Sequence, residues 1–318
     1  MSENSKIEWT DSTFNPWEGC AKVGPGCDHC YAEARNARFG GGTAVNWGSG
    51  APRRRTSAAN WRKPLAWNAR LFLQCRACGW RGEKPGTVNG HAACPEAGCA
   101  SIDLVFARRR VFCASLADVF DNAVDPAWRA DLFRLIADTP NLDWLLLTKR
   151  IGNVTGMVQE TADRLFGDAK RPTLLPDNVW LGATIVNQAE ADRDIPKLLA
   201  VPVHVRFLSM EPLLGPADIS RHLDYCEKLD KHGISRRAGG QHIKCDEHCG
   251  ISWVIVGGES GPGARPMHPE WARSLRDQCA DAGVPFFMKQ MGGTRDKRGD
   301  LESLDKDLRI REVPNANA

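Results

Sequence analysis

The sequence predicts an α/β fold, a partial or complete (β/α) barrel carrying two Cys-rich metal-binding insertions. Three observations lead there. Short apolar runs recur along the chain, most of them continuous rather than alternating, as in strands covered on both faces. Helical patterns lie between several of them, which implies βαβ units and a parallel sheet. Two segments, 75–104 and 221–250, break that rhythm with Cys, His, Gly and Arg.

The candidate strands are Val111–Cys113, Trp144–Leu147, Val179–Gly182, Val205–Ser209, Trp253–Val256 and Pro285–Met288. Pro126 to Asp138 reads as a helix, with Asp125 as N-cap and Pro126 at the first position, where its missing N–H has no partner to lose. Trp271 to Ala282 reads as another, stopped by Gly283 and then Pro285. The chain thus divides into a barrel start (1–74), a first insertion (75–104), barrel (105–220), a second insertion (221–250), the barrel end (251–294) and a charged, peripheral tail (295–318).

Polar residues follow each candidate strand. They are Ser115 and Asp118, Thr148-Lys149-Arg150, Thr184 and Asn187, Glu211, Gly257-Gly258-Glu259-Ser260, and Lys289-Gln290. The carboxyl ends of barrel strands form the active face. Ser115 reads as a turn former. Lys149, Glu211, Glu259 and Lys289 are long charged side chains, poor as caps, and read as functional. Lys149, Glu211 and Lys289 are the candidate catalytic residues, and Asn187 joins Glu211 as a candidate cofactor contact.

Composition narrows the class. With 42% hydrophobic and 25% charged residues the chain is neither disordered nor fibrous. A net charge of +3 commits no global field to nucleic acid. The basic runs Arg53–Arg55, Arg108–Arg110 and Arg236-Arg237 read as solvated surface. No apolar stretch approaches the ~18 residues of a membrane span, and the polar N-terminus has no signal-peptide core. A cytoplasmic protein with no membrane partner is expected. In a reducing compartment, closely spaced cysteines among the twelve read as metal ligands rather than disulfides.

Cys20, Cys27 and Cys30 stand at C-x6-C-x2-C in a loop with Gly24, Pro25 and Gly26. Thiolates suit zinc or iron–sulfur clusters. A structural zinc site is usually closed by four ligands. Three cysteines without a fixed fourth would leave one iron of a [4Fe–4S] cluster open, free to chelate the amino and carboxylate groups of S-adenosylmethionine. The alternative is a zinc site completed by His29 or a distant residue, although His29 is too close to Cys30 to be an easy ligand beside it.

Cys75-x2-Cys78, fifteen residues, then Cys94-x4-Cys99 is the sequence form of a zinc ribbon. Four unrelated buried thiols or a second cluster are the alternatives. In the second insertion, Cys245 and Cys249 are close enough to share a metal, with Cys226 and His242 the best remaining ligands. A zinc site there competes with a loop of exposed histidines.

The cysteine loop resembles the cluster motif of the radical SAM superfamily. The whole chain is similar to a phage- and bacterium-encoded three-cysteine-motif family of uncharacterised function. The matching stretches include Ile7–Asp11, Asn15–Trp17, Leu147–Arg150, Trp180–Gly182, Arg206–Leu214, Val254–Gly261 and Pro285–Gln290. The resemblance implies a barrel of the radical SAM type. It also implies an enzyme that cleaves S-adenosylmethionine and an electron donor as partner; the matching stretches exclude the two insertions. The position before the last cysteine, where the superfamily often has an aromatic ring stacked on adenine, is His29, with Tyr31 just after Cys30. Gly257-Gly258-Glu259 resembles its cofactor-binding Gly-Gly-Glu, but comes late, after the candidate strand Trp253–Val256. The first cysteine gap is six residues rather than three.

A competing expectation is a metal-stabilised nucleic-acid-binding protein with a structural or redox-sensing cluster. For the enzyme, a nucleic-acid or nucleotide substrate is one expectation, with a peptide or a small molecule as the alternatives. Arg53–Arg55 lie near Trp47, Trp61 and Trp67, a basic and aromatic interleaving suited to stacking. The insertions add Arg76, Arg81, Arg236, Arg237 and Lys244.

Overall fold

Seven parallel strands form one curled sheet, a half-barrel, in strictly sequential order. They are β1 (Ser12–Phe14), β2 (Arg109–Cys113), β3 (Leu142–Thr148), β4 (Val179–Thr184), β5 (Val205–Met210), β6 (Trp253–Gly257) and β7 (Phe286–Gln290). The main helices are α1 (Tyr31–Phe39), α2 (Pro126–Ala137), α3 (Val154–Phe166), α4 (Gln188–Leu199) and α5 (Pro269–Ala282). This is a computed structural model, and it describes residues 2–167, 175–223 and 250–314. Among them, no helix is long and apolar enough to cross a membrane.

The sheet has two apolar faces because side chains alternate along a strand. Val111, Leu146, Leu181, Leu208, Val254 and Met288 join the helix residues Leu132, Phe133 and Leu275 in one core. Their neighbours Phe112, Leu145, Trp180, Phe207, Ile255 and Phe287 pack with Trp9 and Trp253 into a second, mostly aromatic core. Gly182 makes that plug fit, since a Cβ there would stand 2.3 Å from the Phe207 ring. The same alternation carries Leu147, Lys149, Thr184, Ser209, Glu211 and Lys289 onto the plug's side of the sheet, at the strands' carboxyl ends.

The helix signals are local, and they hold. Asp125 accepts from the Ala127 N–H at 2.8 Å, and Gly283 adopts the left-handed conformation at φ 67°.

Three expectations need correction. Ser12–Phe14 is a strand missed in the sequence, because three residues carry no readable period. Segment 75–104 is not poor in strands. Leu73–Cys75, Arg81–Gly82 and Leu104–Phe106 form a three-stranded antiparallel sheet beside the hairpin Gly86–Val88 and His91–Ala93. The tail is not peripheral. Leu304 and Leu308 are buried, the Met288 N–H donates to the Ile310 carbonyl, and the Glu312 N–H donates to that of Phe286. The tail thus covers the edge of β7, which would otherwise offer unpaired backbone groups. Cys226, His242, Cys245 and Cys249, with Arg236, Arg237 and Lys244, lie outside the described residues.

Two basic runs are partly internal: Arg53, Arg109 and Arg110 are buried, while Arg54, Arg55 and Arg108 stay exposed. Buried Arg53 pairs with Asp121 at 2.7 Å. Arg55 pairs with Asp131 and lies 4.4 Å above the Trp61 ring. Arg109 pairs with Glu83 and stacks near Phe72 and Trp67.

Candidate functional site

The carboxyl ends of the strands open on a cavity of about 670 Å³. Cys20, Cys27, Cys30, His29, Tyr31, Lys149, Glu211, Gly258, Glu259 and Lys289 all line it. Sequence positions up to 269 apart, Cys20 to Lys289, thus meet because every parallel strand ends on the same face.

The cysteine loop is held from two sides by arginines. On one side Arg150, just past β3, donates to Cys20 Sγ at 3.3 Å and to the Ala21 carbonyl at 2.7 Å. Asp118 pairs with Arg150 at 3.2 Å and also accepts from the Thr148 hydroxyl and the Lys149 N–H. Burial and the nearby Asp118 push the Cys20 thiol up to about 11, against the opposing pull of Arg150.

On the other side, Arg265 donates to the Pro25 carbonyl at 2.7 Å and to Asp28 at 2.9 Å. Glu259 backs it, accepting from Arg265 Nη2 at 2.7 Å, Arg265 Nε at 2.9 Å and the Arg265 N–H at 2.9 Å. His29 Nδ1 completes the set at 2.9 Å. Burial disfavours the Glu259 carboxylate, but these donors outweigh it and hold the group at about 2. Glu259 therefore spends its hydrogen-bonding capacity on the loop.

The remaining predicted residues divide. Lys289 pairs with Glu211 at 2.6 Å on the cavity wall. Lys149 donates to the Thr184 hydroxyl at 3.2 Å, and among the described residues it has no carboxylate within ion-pair distance. Tyr31 donates to the Ser115 carbonyl at 2.5 Å. Asn187 is not on the cavity wall. It is the N-cap of α4, accepting from the Glu190 N–H at 3.0 Å, a role its position before a helical stretch could have signalled. Gly257 is not on the wall either, and a Cβ there would crowd Glu211 at 3.2 Å. A Cβ on Gly258 would stand 2.0 Å from the Met291 carbonyl, so that glycine serves close backbone packing.

Sequence reasoning passed over Arg150 and Arg265 as site residues. Arg150 sat in a motif already singled out, Thr148-Lys149-Arg150. Arg265 had only one signal, a lone cation in a Gly/Pro-rich loop just after a strand end.

A second cluster of thiols lies elsewhere. Cys75, Cys78, Cys94 and Cys99 bring their sulfurs within 4.8 Å of one another, and could bind a metal ion. Two short turns present them: the Gly79 N–H donates to the Cys75 carbonyl, and the Cys99 N–H to that of Glu96. Burial would raise the Cys75 thiol, but N–H groups of Cys78 and Ala77 bring it down to about 7. Arg81 ties this module to Asp11 at 3.0 Å, just before β1, and Arg109 ties it to the start of β2. It therefore sits toward the amino ends of the strands, away from the cavity.

These features define a class: an α/β half-barrel protein with a cysteine-walled cavity and a separate four-cysteine site able to bind a metal ion. More particularly, residues 4–313 match the model of a family described as protein of unknown function, DUF5131, and the chain belongs to that family. No curated protein and no solved structure matches the chain.

Proposed function

We propose that the chain is an iron–sulfur enzyme of the radical SAM kind, with a [4Fe–4S] cluster on Cys20, Cys27 and Cys30 at the mouth of the half-barrel. One observation carries the reading: three thiols from one loop wall a cavity at the active end of a parallel half-barrel. The donor set fits the group. Three soft sulfurs suit iron, and Arg150 supplies the hydrogen bond to sulfur that clusters commonly receive.

Such a cluster would supply one electron, from an external donor, for reductive cleavage of a carbon–sulfur bond in bound S-adenosylmethionine. The chain's own residues would bind and orient. The Glu211–Lys289 pair offers a carboxylate to an amino group and an ammonium to a carboxylate. Lys149, with the hydroxyls of Thr184 and Ser209 on adjacent strands, offers a second anion contact. The aromatic plug keeps water from entering between the strands below. Zinc is the metal that best suits the four-cysteine site, given four thiolates and no open position. A polymeric nucleic-acid substrate is not part of the proposal, since Arg53 and Arg109 are buried in ion pairs and the exposed Arg55 is engaged by Asp131 and the Trp61 ring.

Anaerobic reconstitution tests the reading. The wild type should bind about four irons, turn brown, and release 5′-deoxyadenosine from S-adenosylmethionine under dithionite. The triple variant Cys20→Ala, Cys27→Ala, Cys30→Ala should do neither. Full iron and absorbance in that variant would remove the assignment. An iron-replete wild type that yields no 5′-deoxyadenosine would remove the enzyme.

A further inference from the structure

Arg150 is buried, with a side-chain exposure of 8%, and is fixed at several points. One Nη1 reaches both Cys20 Sγ at 3.3 Å and Asp118 at 3.2 Å, while Nη2 donates to the Ala21 carbonyl at 2.7 Å. Asp121 stands 3.8 Å away and is itself held by Arg53. Asp118 in turn is anchored by the Thr148 hydroxyl and the N–H groups of Lys149 and Phe120. The guanidinium therefore cannot swing to solvent without leaving the buried Asp118 carboxylate with no cation against it, which is costly. A cation so fixed against one of three ligand sulfurs acts on the charge of whatever those sulfurs hold.

We infer that Arg150 is a positioning residue that orients the Cys20 thiolate through a charge-assisted hydrogen bond and raises the reduction potential of the cluster bound there. This rests on the cluster proposed above. Reduction takes one electron from a low-potential donor such as dithionite and moves the core from 2+ to 1+. The three thiolates stay bound and no proton moves, so the site gains one negative charge. A cation donating to a ligand sulfur stabilises that reduced state. Asp118, behind Arg150, acts in the opposite sense.

The test is a redox titration followed by electron paramagnetic resonance on anaerobically reconstituted protein. Arg150→Gln should keep its iron and shift the midpoint to more negative potential. Asp118→Asn should shift it the other way. Arg134→Gln, at an exposed position of α2, should leave it unmoved. An iron-replete Arg150→Gln with the wild-type midpoint overturns this inference and leaves the cluster standing. A wild type that binds no iron overturns both. If Arg150→Gln cannot hold iron, Asp118→Asn decides: a shift to less negative potential supports the inference, and an unmoved midpoint overturns it.

Discussion

Replacing Arg265 by Met should release the cysteine loop without unfolding the barrel. Removing one partner of a fully buried ion pair costs ~3–5 kcal/mol. Here the cost is smaller, about 2 kcal/mol, because Glu259 keeps the backbone N–H of residue 265 and His29, and the Arg265 side chain is 31% exposed. At 1.36 kcal/mol per factor of ten, that is roughly 30-fold easier opening of the loop. Hydrogen exchange read by mass spectrometry on peptides spanning Cys20 to Tyr31 measures it, in cluster-free protein so that iron does not mask the change. The amides to follow are Cys27 and Asp28, which donate to the carbonyls of Gly24 and Pro25. Exchange within twofold of wild type would refute the clamp. The share of the effect that depends on the Glu259 charge should be flat between pH 5 and 8. The folded-state Glu259 value lies near 2, below its ordinary 4.5. Its contribution is therefore complete above the ordinary value, and is lost progressively as pH falls from there through about 2.

Two further outcomes are expected. Cys75→Ala should abolish zinc, read by metal analysis of protein already lacking Cys20, Cys27 and Cys30, and should expose residues 75–104 to proteolysis while the barrel stays intact; zinc retained at full stoichiometry would reject the site. Burial raises Asp143 to about 6, against the pull of Arg108, Arg81 and Arg110. The folded protein therefore holds a proton that the unfolded chain has lost between the ordinary 3.8 and about 6, and stability falls as pH rises across that window. Asp143→Asn should flatten urea midpoints between pH 4.5 and 7.5 and raise stability at pH 7.5 by up to about 3 kcal/mol; an unchanged slope would show that the carboxyl is not the titrating group.

Features written within a few residues were legible in the sequence. Continuous apolar runs marked β2 to β7, because a strand buried on both faces admits few polar side chains. Asp125 and Gly283 marked helix ends, because capping is a local hydrogen-bond or backbone requirement. The C-x2-C and C-x4-C pairs marked a four-cysteine site, because the ligands of a single ion must stand close together. Other features needed the tertiary structure. β1 exists because Ser12–Phe14 finds Val111–Cys113 beside it, not because three residues prefer a strand. Arg53 and Arg109 look like surface charges until Asp121 and Glu83 are placed against them. Glu259 looks like a free ligand until Arg265 closes on it, and Arg265 matters because it reaches Asp28, 237 positions earlier. Composition and spacing determine what a residue can offer. Which partner takes the offer is decided by packing, because a buried charge is stable only beside the opposite one that the fold brings to it.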